Sequence, residues 1–121
     1  MSNNTSIISS INSFTSKNNQ LKKEKAEYEA MNKKINEAIS KLNFAKQYTT
    51  NAYNNLKNNY TSKEADKEIS ELQNEKSKID KMVNQLKEIL TASKNKISSL
   101  NTQINNNQKQ ITNLRQELYE D

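Results

Sequence analysis

The sequence predicts an all-α protein, an antiparallel two-helix coiled-coil hairpin, and three observations carry that prediction. The chain of 121 residues contains neither Gly nor Pro. Its second half repeats apolar residues in alternating steps of four and three from Ala65 to Leu118. That repeat loses register once, between Tyr60 and Ala65, where a helix-start signal also stands.

The absent residue types act by exclusion. Positive-φ turns and phosphate-cradling loops depend on Gly, and a sheet protein of this length with no Gly or Pro at its turns would be very unusual. Cys and His are missing as well, which removes disulfides, thiolate metal sites and the commonest general base. Hydrophobic residues make up 31% of the chain and aromatic residues 6%, and the mean hydropathy is −1.12. The choice is therefore between helix and disorder, within one domain (1–121). The chain is read as non-enzymatic, with no catalytic residues, no cofactor and no metal.

The first helix is expected over about 5–59. Ile7, Phe14, Leu21, Tyr28, Ile35, Leu42, Thr49 and Leu56 recur every seven residues. The companion row four later is mixed: Ile11, Asn18, Lys25, Asn32, Ile39, Lys46, Tyr53 and Tyr60. Met31, Ala38, Ala45 and Ala52 fall three after the main row, widening the stripe as packing against more than one neighbour helix would require. Ser and Asn crowd the first twenty residues, so fraying is expected there.

A turn is expected at about 60–62. The step of five from Tyr60 to Ala65 cannot be made from a three or a four. At the same place Thr61-Ser62-Lys63-Glu64 reads as a capping box, with Tyr60 placed to staple against Ala65. Glu64, Asp66 and Glu68 put negative charge at the new N-terminus, where the helix dipole favours it.

The second helix is expected over about 63–119. Its seam runs Ala65, Ile69, Leu72, Lys76, Ile79, Val83, Leu86, Leu90, Ser93, Ile97, Leu100, Ile104, Asn107, Ile111, Leu114 and Leu118. A period of 3.5 held this long marks a coiled-coil seam. Lys76, Ser93 and Asn107 are its only polar members; they read either as register locks that select partner and alignment, or as points where the seam meets solvent. Arms of about 55 residues would each span roughly 80 Å, so folding at 60–62 aligns them end to end.

Charge adds little specificity. The net +5 arises in residues 1–60, which hold 9 basic and 4 acidic groups, while residues 61–121 hold 10 of each. Arg115 is the lone arginine and the lysines alternate with glutamates, so nucleic-acid binding is not expected. Glu117 with Glu120 and Asp121, like Glu64 with Asp66 and Glu68, lacks calcium-loop spacing and reads as a solvated helix end. Tyr28, Tyr53 and Tyr60 are expected on the buried stripe, Tyr48 and Tyr119 on the surface. No membrane span or signal peptide is legible, so synthesis in the cytosol is expected, with any export by a leaderless route.

Tyr60-Thr61-Ser62-Lys63-Glu64-Ala65-Asp66, set between two long helices, resembles the turn of the type VII secretion helical hairpins, which carry Trp-x-Gly followed by small and acidic residues. Tyr60 stands at the Trp position and Ser62 at the Gly position. Closest in length and seam are the small partner proteins encoded beside LXG toxins in Firmicutes. The resemblance implies a targeting or chaperone factor that binds the helical N-terminal domain of the toxin, with a second small hairpin protein as a further candidate partner. The export signal Tyr-x-x-x-Asp/Glu expected after the second helix is absent, so a partner would supply it.

A two-helix core rich in Asn, Ser and Thr is too thin to offset much chain entropy. Helices from outside, either a client's or a second copy's, are expected to complete it along Ile35, Ile39, Leu42, Tyr53 and Leu56 and along Ile79, Val83, Leu86, Leu90, Ile97, Leu100 and Ile104. The alternative is a structural homo-oligomer, a scaffold or phage coiled coil with no client. A prefoldin-like holdase ranks lower, since no β-hairpins are present.

Overall fold

The computed structural model describes residues 2–60 and 63–120. Helix α1 spans Ser2–Asn59 and helix α2 spans Lys63–Glu120, and the two pack together as an antiparallel hairpin. Among the described residues only Tyr60 lies outside a helix, and its amide donates to Leu56 O at 3.0 Å as α1 ends. Thr61 and Ser62, two of the six residues of the expected turn motif and Thr61 the capping residue of the box, lie outside the described residues, as does the side chain of Tyr119.

The seam is written in burial. All sixteen seam positions of α2 from Ala65 to Leu118 are buried or half-buried, and between Lys63 and Leu118 only Asp80 and Asn101 join them. On α1 the main row from Ile7 to Leu56 is covered at every position. So is the companion row from Ile11 to Tyr53, including Asn18, Lys25, Asn32 and Lys46. Helical geometry explains why polarity does not matter here: a residue at a seam position faces the partner helix whatever its side chain. Ser93 is buried, and Lys76 and Asn107 are half-buried.

Two expectations are corrected. Tyr60 is 57% exposed rather than on the buried stripe, because α1 stops one residue before it and the helical face does not extend that far. The widened stripe of α1 is only partly covered. Ala38 and Ala52 are half-buried, but Met31 and Ala45 are exposed. With a single neighbour helix on the seam, the flank three residues after the main row is left at the edge of the contact.

Two compact units make up the chain. The terminal unit comprises Met1–Met31 and Ser93–Asp121. Its core centres on Leu100, 1% exposed, and Ile111, 3% exposed, together with the buried polar residues Asn18 and Ser93. Asn107 Nδ2 donates to Asn18 Oδ1 at 2.9 Å, and Asn18 Nδ2 donates to the Ile104 carbonyl at 3.2 Å. Ser93 Oγ is buried without a hydrogen-bond partner.

The turn unit is Asn32–Ala92. Ile35, Ala65 and Val83 form its buried apolar core, with Thr49 buried beside them and its hydroxyl donating to Ala45 O at 3.0 Å. Lys46 Nζ pairs with Asp80 Oδ1 at 2.6 Å, and Gln73 Nε2 donates to the Tyr53 hydroxyl at 3.2 Å. Lys46 and Tyr53 are seven apart on α1, as Asp80 and Gln73 are on α2, so one register serves both bonds.

Candidate interaction surface

The described residues contain no cluster of three or more His, Cys, Asp or Glu able to hold a metal ion, and no helix long and apolar enough to cross a membrane. The concavities are shallow and open. One lies in the terminal unit between Lys17, Leu21, Glu24 and Glu27 of α1 and Gln103 and Asn106 of α2. Its lining mixes both signs of charge with amides and has no enclosed apolar floor of the kind that holds a small molecule.

The residues expected to line a partner stripe are covered by the hairpin itself to different degrees. Ile35, Val83 and Leu100 are buried. Ile39, Leu42, Tyr53, Leu56, Ile79, Leu86, Leu90, Ile97 and Ile104 are half-buried, keeping part of their apolar surface open beside the seam. In the turn segment, Ala65 is buried while Tyr60, Glu64 and Asp66 are exposed. Among the described residues only five apolar side chains are buried: Ile35, Ala65, Val83, Leu100 and Ile111.

The large apolar groups left in the open were mostly not singled out by the sequence pattern. In the turn unit, besides Tyr60, these are Phe44 and Tyr48, each 75% exposed, with Met82 at 43% and Ile89 at 49%. Tyr48 stands three residues beyond Ala45. Met82 and Ile89 are seven apart, each three residues after a member of the α2 row Ala65, Leu72, Ile79, Leu86, the main row of α2. Reversing a helix and turning it to face its neighbour reverses the sense of rotation twice, so the three-after flank of α1 and that of α2 lie on one side of an antiparallel pair. Ala38, Ala45, Tyr48, Met82 and Ile89 therefore share a side. Lys46–Asp80 and Tyr53–Gln73 occupy the opposite one, where Asp80 and Gln73 fall one residue after a main-row position. A signal was available in the sequence, since Met82 and Ile89 keep heptad spacing outside the seam; it was hidden by the stronger pattern beside it.

Electrostatics around these faces is that of a solvated helix pair. Lys25 meets Glu29 at 3.7 Å along α1, and Lys17 and Lys57 lie over the Phe14 and Tyr53 rings at 5.6 and 5.7 Å. Such exposed contacts contribute little to stability and mainly keep the lysine stems against apolar surface. No protein-family model, no curated protein and no solved structure matches this chain.

Proposed function

We propose that this protein is a non-enzymatic interaction module that adds its two helices to those of a larger client. The thin core carries the reading. Five buried apolar side chains serve the described chain. An apolar flank spanning both helices of the turn unit provides a docking face of the helix-in-groove kind. The resemblance of the turn to type VII secretion hairpins points to the client class: the helical N-terminal domain of an LXG toxin, delivered to the secretion machinery with this chain as its targeting or chaperone partner.

Co-expression with the N-terminal domain of an LXG toxin from the same genome, followed by light scattering on the purified material, tests this. A stable complex is expected, and Tyr48→Asp combined with Met82→Asp releases the client while circular dichroism of the free hairpin is unchanged. A complex indifferent to both substitutions, or no complex at all, overturns the proposal.

The same exposed flank favours one second reading, a homo-oligomer in which another copy covers Tyr48, Met82 and Ile89. A stable dimer or tetramer of the free chain, with no affinity for the toxin domain, would support it.

A further inference from the structure

We propose that the polar residues set into the seam form a register code, in which the Asn18–Asn107 pair admits one alignment of α1 on α2 and rejects those one heptad away. A heptad seam by itself is indifferent to a slide of seven residues, because every such slide again lays apolar rows on apolar rows. The short connection from Asn59 to Lys63 opposes such a slide, since about two turns of one helix would have to unwind to allow it. The polar seam residues add to that constraint along the arms, which have no Gly or Pro to mark a position.

In the terminal unit, Asn18 is 3% exposed and both ends of its amide are engaged, by Asn107 Nδ2 at 2.9 Å and by Ile104 O at 3.2 Å. A slide of one heptad brings Asn18 level with Leu100 or Leu114, and Asn107 level with Ile11 or Lys25. The amide–amide bond is then lost inside a water-poor seam, where an orphaned amide costs about tenfold or more in the equilibrium.

The turn unit repeats the device. The register set by Lys46–Asp80 and Tyr53–Gln73 brings buried Thr49 level with Lys76, the single polar break in that unit's stretch of the α2 seam. One heptad away in either direction Lys76 would stand level with Leu42 or Leu56. In the observed alignment Asn18 meets Asn107 and Thr49 meets Lys76, whereas a slide sets Asn18 and Lys76 against leucines in either direction and Asn107 against Ile11 in one.

Because the chain has no cysteine, introduced pairs report the alignment directly. Leu21→Cys with Ile104→Cys reads the observed register, while Leu21→Cys with Ile97→Cys or with Ile111→Cys reads the two slides. In an otherwise unaltered chain under thiol–disulfide exchange, the first pair is expected to close readily and the slid pairs at about a tenth of that yield or less. Adding Asn18→Leu and Asn107→Leu should raise the slid pairs about tenfold with helicity retained. Asn18→Ala with Asn107→Ala gives the same readout should Leu crowd the seam. Slid pairs that close as readily in the unaltered chain overturn the code, as do slid yields that stay low once both amides are gone.

Discussion

Lys46 occupies a seam position of α1, yet its ammonium leaves the seam and stands 2.6 Å from the Asp80 carboxylate of α2. The stem lies against the seam while the head reaches a partner whose side chain is 45% exposed. An ion pair this wet contributes at most about 1 kcal/mol. What the pair supplies is a polar exit from an apolar row. Asp80→Asn should therefore shift stability by less than about 1 kcal/mol, and Lys46→Leu should raise it by about 1 kcal/mol through the added apolar burial. Denaturant melts of both variants check the signs. Loss of stability in Lys46→Leu would show the ion pair outweighing the burial.

Leu100 is the most deeply buried large side chain, at 1% exposure. Its truncation leaves a cavity in a core with few other members to close over it. Leu100→Ala is expected to cost about 3 kcal/mol, enough to lower the helical signal of the isolated chain as well as its melting temperature. Half-buried Leu90, truncated the same way, should cost clearly less.

Ser93 presents the reverse case. Its hydroxyl is buried without a hydrogen-bond partner, and Ser is a weaker helix former than Ala. Ser93→Ala should stabilise the hairpin by about 1 kcal/mol, read as a higher melting temperature at constant chain concentration. A drop instead would mean that the hydroxyl is satisfied in solution.

Phe44 and Tyr48 protrude from α1 at 75% exposure. Replacing either by Ser should leave the folding free energy of the free hairpin within about 0.5 kcal/mol. Self-association, measured by light scattering across a concentration series, should fall at the same time. Equal association before and after would place the sticky surface elsewhere.

Much of this architecture was legible because a helix pair exposes its logic in periodicity. All sixteen positions read from the α2 repeat are covered by the fold, polar members included. On α1 the row through Asn18, Lys25, Asn32 and Lys46 looked mixed in composition, yet it is covered throughout. Face is set by angle along the helix, so composition misleads where spacing does not. The partnership of Asn18 with Asn107 was not read from the sequence, since periodicity defines a face and a turn placed only to about 60–62 leaves the pairing of individual residues forty positions away open. Only the placement of breaks in both rows together carries that information. Tyr60 failed for a different reason: the heptad count continued past the last helical residue, and the side chain it assigned to the seam stands in the open.

The matched seven-residue spacing of Lys46 and Tyr53 on one helix and of Asp80 and Gln73 on the other makes the turn unit modular in length. Excising residues 42–48 together with 77–83 would remove one whole rung from both sides of the ladder, taking the Lys46–Asp80 tie with it and rejoining seam to seam. Excising either segment alone would leave every layer beyond the cut facing a stranger. The hairpin thus tolerates shortening only in pairs, and insertions or deletions in one arm should persist only with a counterpart in the other.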